Sequence, residues 1–152
     1  MEDLEIKVKN MVNKSISANL FNRLIIEIIR TDLKASVFVT RHGGELRDYL
    51  PSVMIGCECN STTEIGESGA KLKEKDFHPL LRNKLLELGS IGNIIERCKN
   101  PIGNCAEDDA ANKVLKNDSS ITNLHQLAFT MPLRPRTFSL IPTCENCEYV
   151  FG

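Results

Sequence analysis

The sequence predicts an α/β or α+β sandwich, in which a sheet is flanked by helices. Three observations predict it. The N-terminal part has apolar residues at helical spacing, the middle has β-branched runs bounded by turn residues, and the second half has further amphipathic segments. The chain has 152 residues, of which 41% are hydrophobic, and this is enough for one packed core.

The N-terminal segment predicts a helix over residues 4–30, which Asn19 and the region of Ser15 can divide into two helices. Its apolar residues recur every four positions, which places them on one face of a helix. They are Ile16, Leu20, Leu24 and Ile28. We therefore expect two parts of the chain, an N-terminal helical segment (1–34) and a main domain (35–152).

The next segment predicts two strands joined by a turn. Residues 36–40 are β-branched and aromatic, and residues 53–59 form a second apolar run. The turn is predicted at 42–45, because Gly43 and Gly44 tolerate the positive φ angles of tight hairpins. The polar residues 60–76 predict a mobile loop.

Five further elements are predicted from apolar spacing and from flanking helix breakers. They are a helix over 79–88 ended by Gly89, one or two helical turns over 91–97, a helix over 105–116 with Asn104 as its N-cap, a strand over 124–131, and a short helix that begins at Cys144.

Composition excludes several classes of function. The formal net charge is −1, which weighs against a large nucleic-acid surface but is compatible with a small basic channel. No apolar run reaches the roughly 20 residues of a membrane span. The N-terminus alternates charged and apolar residues, unlike a secretory signal peptide. We therefore expect no membrane partner and a cytoplasmic site of action.

The cysteines carry the strongest chemical signal. Cys144 and Cys147 are three positions apart, so the first turn of a helix can direct both thiols at one ion. Cys105 lies at a second predicted helix N-terminus, and helix N-termini favour thiolates. A catalytic zinc ion uses three protein ligands and keeps one position open. The three cysteines therefore predict a zinc site.

Glu107 is the candidate proton carrier. It lies two residues after Cys105, close to the predicted metal without being one of its ligands. A carboxylate there can accept a proton from the attacking water and pass it to the substrate. The competing interpretation makes Glu107 the third residue of a capping box that begins at Asn104.

The cysteines also leave other interpretations open. All six together are compatible with a disulfide framework, although the chain is long enough to fold without one. Cys144 and Cys147 are compatible with a redox pair. They also suit a structural zinc site completed by Cys57 and Cys59, although alternation along a strand favours core positions for these two.

Cys105-Ala106-Glu107, followed by Cys144-Glu145-Asn146-Cys147, resembles the zinc signature of the cytidine deaminase-like superfamily. The longer string over 103–110 and the position of the cysteine pair near the C-terminus look most like the YwqJ-like branch. The resemblance spans roughly residues 36–152. It implies a three-layer sandwich with a central mixed sheet, here shortened at its C-terminus.

The resemblance also implies a function. The main domain would be a zinc-dependent hydrolytic deaminase acting on cytosine or adenine in nucleic acid or a nucleotide, or on a nucleoside. Cys105, Cys144 and Cys147 would hold Zn²⁺, and Glu107 would move protons. The branch is associated with bacterial toxins, which implies a secreted effector and an immunity protein as partner. The alternative is a small zinc-braced binding module without catalysis.

Three residues are candidate substrate contacts. The resemblance implies that Asn60, which follows the second predicted strand, contacts the sugar. Arg134 is placed to meet phosphate, and Phe138 to stack on a flipped base. The alternatives are a solvated loop arginine and a core phenylalanine.

Overall fold

The protein is described by a computed structural model over residues 16–96 and 98–152. Its centre is a three-stranded sheet in the order β2-β1-β3, formed by β1 (Met54–Cys59), β2 (Thr62–Glu67) and β3 (Ala128–Phe129). Around it lie four helices: α1 (Ala18–His42), α2 (Pro79–Leu86), α3 (Ala106–Asn117) and α4 (Glu145–Phe151). The predicted α+β class is confirmed.

Helix α1 is longer than the sequence indicates, and the strand predicted over 36–40 is wrong. Within the helix, the Ser36 hydroxyl donates to the carbonyl of Asp32 at 2.9 Å, and Thr40 does the same to Ser36. These bonds satisfy the hydroxyls locally, so the β-branched run stays helical. The helix ends at Gly43, whose φ of 77° suits glycine. The part of the predicted helix over 4–15 lies outside the described residues.

The hairpin lies further along the chain than predicted. The strand predicted over 53–59 is confirmed as β1, but its partner is β2, inside the segment 60–76 that we expected to be a loop. Asn60 and Ser61 have φ angles of 50° and 72°, as in the two-residue turns that match strand twist. Asparagine tolerates this conformation, and this explains a turn without glycine.

Helices cover both faces of the sheet. On one face, Leu20, Leu24 and Ile28 of α1 pack with Met54 and Ile65. On the other face, alternate residues of β1 pack with the buried face of α3 in the larger core cluster. Both strand pairings are antiparallel, so the expected mixed sheet is wrong for the described strands. For β1 and β2 the physical reason is that a two-residue turn joins them and cannot connect parallel strands.

The remaining predicted elements are confirmed in part. The helix over 79–88 is α2, and the short C-terminal helix is α4. The strand over 124–131 is reduced to β3, preceded by a 3-10 turn at Leu124–Gln126. In 91–96 and at residue 98 the structure has turns and an isolated bridge in place of helical turns. Helix α1 runs through position 34, and the division of the chain there stays a prediction.

None of the helices within 16–96 and 98–152 is both long and apolar enough to cross a membrane.

Candidate metal centre

Two helix N-termini meet at the candidate site. Cys105 is the N-cap of α3 and Cys144 is the N-cap of α4, and both have extended backbone angles. Their Sγ atoms lie 3.0 Å apart, although 39 positions separate them in the chain. Unpaired N–H groups at helix N-termini favour negative charge, so both ends of this contact suit a thiolate.

Cys147 completes a group of three thiols. It lies in the first turn of α4, and the Sγ atoms of Cys105, Cys144 and Cys147 all lie within 4.8 Å of one another. None of the three forms a disulfide, and Cys105 and Cys147 are buried. Tetrahedral zinc with bonds of about 2.3 Å to sulfur places its thiolates about 3.8 Å apart. The three thiols lie close enough together that they could hold a metal ion.

The thiols strongly affect one another's ionisation. The hydrogen bond from Cys105 lowers the pKa of Cys144 to about 2. The same contact raises the pKa of Cys105, and hydrogen bonding to Cys105 and Cys144 raises that of Cys147. The three directions favour a single thiolate, at Cys144, since desolvation disfavours three adjacent anions. A cation would stabilise the remaining thiolates.

The cap of α3 differs from the one predicted. Asn104 is not the N-cap, and the capping box that we considered for Glu107 is wrong. The capping box begins at Cys105, and Asp108 is its third residue after the cap. The Oδ2 atom of Asp108 accepts a hydrogen bond from the Cys105 amide at 3.2 Å. Burial raises the pKa of Asp108 well above its usual value. The cap thus holds Cys105 in place and does not involve the Glu107 carboxylate.

Glu107 lies beside the cysteines. The Cys147 thiol donates a hydrogen bond to its Oε2 at 3.0 Å, and the side chain is largely buried. Among the described residues, no carboxylate or imidazole joins the three thiols as a fourth ligand within the same distance limit. The predicted carboxylate is therefore adjacent to the thiol group and separate from it.

A cavity of about 530 Å³, which we call the metal cavity, opens onto the site. Cys105, Cys144 and Glu107 line it, so the thiols and the carboxylate face one space. Its volume lies in the usual range for small-molecule sites. Two more carboxylates, Asp48 and Glu67, also line it, and none of its described lining residues is lysine, arginine or histidine.

The three predicted substrate contacts lie elsewhere in the described structure. Asn60 lies in the β1–β2 turn, where its amide donates to Ser120 at 3.4 Å, and it lines a different cavity. Arg134 lines a cleft that shares a wall with the metal cavity. Phe138 is 43% exposed and is not a core residue. Their roles as substrate contacts stay predictions.

The cavity includes residues that sequence reasoning missed. Tyr49 lines it and packs its ring against Phe38, with ring centroids 4.6 Å apart. Asn104 and Asn100 also line it, and Asn100 hydrogen-bonds Cys144 through its side chain. For these residues, the only sequence signal of a place in the cavity was the position of Asn104 directly before Cys105. Tyr49 lies 56 residues before Cys105, and no local pattern connects the two.

The other cysteines are not part of this group. Cys57 and Cys59 are buried in the core cluster between the sheet and α3. Their alternation along a strand predicted core positions for both, and this is confirmed. Desolvation raises the pKa of both thiols. The structural zinc site with Cys57 and Cys59 is therefore wrong for this structure, because the four thiols do not come together.

Comparisons with family models, with curated proteins and with solved structures gave no match for this chain.

Proposed function

We propose that this chain is a zinc-dependent hydrolytic deaminase that acts on a nucleobase, cytosine or adenine. One observation carries the proposal: the Glu107 carboxylate lies beside three metal-competent thiols in a cavity of small-molecule size. Three thiols without a fourth protein ligand among the described residues match a catalytic zinc site better than a closed structural one. The order Cys-Ala-Glu and Cys-x-x-Cys is that of the zinc deaminases.

Cys105, Cys144 and Cys147 would hold the zinc ion, and the ion, when bound, would supply an acidified water in the cavity. Glu107 would accept a proton from that water and carry it to the ring nitrogen of the base. The water oxygen would add to the ring carbon that carries the amine. Glu107 would then deliver the second proton to the amine, so that the carbon–nitrogen bond breaks and the products are a ring carbonyl and ammonia.

The surroundings of Glu107 support this role. Its side chain is largely buried, lines the cavity and accepts a hydrogen bond from the Cys147 thiol, so its carboxylate lies between the three thiols and the space that a base would enter. The cap of α3 is formed by Asp108, so a change at Glu107 leaves the hydrogen bond to the Cys105 amide in place. Catalysis and helix capping can therefore be separated by mutation.

Other features of the proposal rest on the sequence resemblance. The helices on both faces of the sheet are compatible with a deaminase-like sandwich. A role as a toxin effector, delivered from the producing cell and restrained by an immunity protein, follows from the YwqJ-like branch. The zinc-braced binding module is the alternative, and it predicts that Glu107 is dispensable.

The test is incubation of the zinc-loaded protein with nucleosides, nucleotides and single-stranded DNA and RNA. Deamination raises the mass of a base by about one dalton, and mass spectrometry detects it at each base. We expect Glu107→Gln to lower the rate by about 10²- to 10⁴-fold, the usual contribution of a general acid–base. Its zinc content and circular dichroism spectrum should match those of the wild type.

Glu145→Gln is the matched control. Glu145 is an exposed carboxylate next to Cys144 and does not line the cavity, so its substitution should preserve the rate. Deamination that survives Glu107→Gln would exclude the proposed mechanism. A protein that binds zinc but deaminates none of these substrates would support the binding module instead.

A further inference from the structure

The metal cavity is a poor place for phosphate. Its described lining includes three carboxylates, Asp48, Glu67 and Glu107, and no basic side chain. A phosphate inside it would lack a cationic partner and would face like charges. If the proposed deaminase binds a base in this cavity, any phosphate attached to the base must lie outside it.

A cleft with three arginines adjoins the cavity. Arg47, Arg134 and Arg136 line it, and its volume is about 550 Å³. Asp48, Leu50, Pro51 and Ser52 line both spaces and form a shared wall. Asp48 is the carboxylate among the described residues that line the cleft, and it is outnumbered by the arginines.

Two of these arginines lie on a closed loop that borders the metal cavity. Leu133 and Leu140 form an antiparallel bridge, and the amide of Arg134 donates to the carbonyl of Ser139 at 2.9 Å. At the base of the loop, Pro132 and Ile141 line the metal cavity. The loop is therefore anchored beside the cavity, and it presents Arg134 and Arg136 to solvent.

The two arginines of the loop differ from Arg47, the third arginine of the cleft, in whether they are paired with a carboxylate. Arg47 forms an ion pair with Glu45 at 2.6 Å. Within 16–96 and 98–152, neither Arg134 nor Arg136 has a carboxylate within ion-pair distance. Guanidinium groups bind phosphate oxygens through paired hydrogen bonds, so these two are available for an external anion.

Phe138 adds an aromatic surface to the same loop. It is 43% exposed, and its φ of 56° places a bulky residue in the left-handed region. Such a conformation costs free energy, and the surrounding structure must hold it. Here the Phe138 amide donates to the carbonyl of Arg134 at 2.8 Å. An exposed aromatic ring beside arginines is the arrangement that binds single-stranded nucleic acid by stacking and charge.

We propose that the loop over residues 134–139 binds the phosphate backbone of a single-stranded nucleic acid whose target base enters the metal cavity. Arg134 and Arg136 contact phosphates next to the target nucleotide, and Phe138 stacks on a neighbouring base. The entry of the base rests on the proposed deaminase function, whereas the phosphate contacts do not depend on catalysis. The substrate is thereby a polynucleotide rather than a free nucleoside.

Binding is tested first, in a Glu107→Gln background that prevents turnover. The probes are fluorescein-labelled 12-nucleotide DNA and RNA strands of one sequence, titrated at several salt concentrations. Arg134→Gln/Arg136→Gln should weaken binding about tenfold and reduce the slope of log K against log salt by roughly 1.4, about 0.7 for each lost phosphate contact. Phe138→Ala should weaken binding at least about fivefold, whereas Phe138→Tyr should retain it.

The matched control is Lys75→Gln/Lys116→Gln. It removes two positive charges from exposed positions that line none of the cavities described here. It should leave the salt slope unchanged. An unchanged affinity and slope in the arginine variant, or an equal loss in the lysine control, would overturn the inference.

Activity then identifies the source of the phosphate. We expect kcat/KM to be higher on the oligonucleotide than on the matching 5′-mononucleotide and nucleoside, and the arginine variant to lower the oligonucleotide-to-nucleoside ratio about tenfold. A preference for the nucleoside, or for the mononucleotide, would overturn the inference while deamination itself stands. If no substrate is deaminated but the salt slope falls as expected, the phosphate site stands and the deaminase proposal fails.

Discussion

The Cys147 thiol donates a hydrogen bond to Glu107 Oε2 at 3.0 Å, across 40 positions of the chain. Cys147 lies in the first turn of α4 and Glu107 in the first turn of α3, so the contact joins the N-terminal ends of two helices. A carboxylate in this position touches the thiol group from the cavity side.

The three thiols should determine metal content. Protein purified without chelators should hold about one equivalent of zinc, as a single site with three thiolates implies. Cys105→Ser, Cys144→Ser and Cys147→Ser should each lower this amount severalfold, since serine is a poor zinc ligand. The measurement is atomic emission spectrometry. Cys98→Ser is the control, because Cys98 lies outside the group, and equal zinc loss in this variant would contradict the assignment.

Metal removal should destabilise the fold. A bound ion would join α3 to α4, and a ligand that binds only the folded state contributes about 4 kcal/mol when present at about 1,000 times its Kd. Chelation should therefore lower Tm, measured by differential scanning calorimetry. Zinc should restore Tm and magnesium should not, because soft thiolates select zinc. An unchanged Tm after complete zinc removal would contradict a bridging metal.

Asp109 should position α3 against the sheet. Its Oδ2 accepts a hydrogen bond from the Glu67 amide at 3.0 Å and forms an ion pair with Lys113. Asp109→Ala leaves a partly buried amide without its acceptor, which costs about 1–3 kcal/mol. Urea unfolding should show this loss. Asp109→Asn retains an acceptor oxygen and should recover most of it, and equal losses in the two variants would argue against this hydrogen bond.

Gly66 should be required for the seating of α3. A Cβ atom there would lie 2.3 Å from the carbonyl oxygen of Ala106 and from the amide nitrogen of Ala110. Both are backbone atoms, so α3 must shift, and we expect Gly66→Ala to cost at least about 3 kcal/mol. Zinc affinity should fall as well, because α3 carries Cys105.

Gly69→Ala is the comparison for Gly66→Ala. Gly69 has a φ of 76° but no atom within 4 Å of an added Cβ, so its substitution introduces backbone strain without a clash. Its cost should be about 1–2 kcal/mol. Chemical denaturation of both variants measures the difference, and similar costs would show that close helix–sheet contact does not govern the position of α3.

Local sequence signals identified the helices around the site. The N-terminus of α4 and the body of α3 were predicted because capping and four-residue periodicity depend on neighbours along the chain. The cap of α3 was displaced by one residue, from Asn104 to Cys105. Both residues are followed by an acidic residue three positions later, so the capping-box pattern fits either register.

The same local signals failed where tertiary contacts decide the conformation. Residues 36–40 have strand-like composition, but they continue α1. The earlier residues Leu20, Leu24 and Ile28 of this helix pack on the sheet. Residues 62–67 have the polar composition of a loop, but they pair with β1 as an outer strand. Propensity differences of a few tenths of a kcal/mol per residue are smaller than the free energy of such packing.

By itself, the sequence singled out the residues that are proposed to carry the chemistry. The spacing of Cys144 and Cys147 and the string Cys105-Ala106-Glu107 depend on bonds along the chain, and they need no fold to be recognised. Only the tertiary structure decided that the two parts meet, that Asp108 forms the cap, and that Asp48 and Tyr49 share the cavity. These are contacts between residues 39 or more positions apart or a choice between two local registers, and packing of the helices on the sheet fixes them.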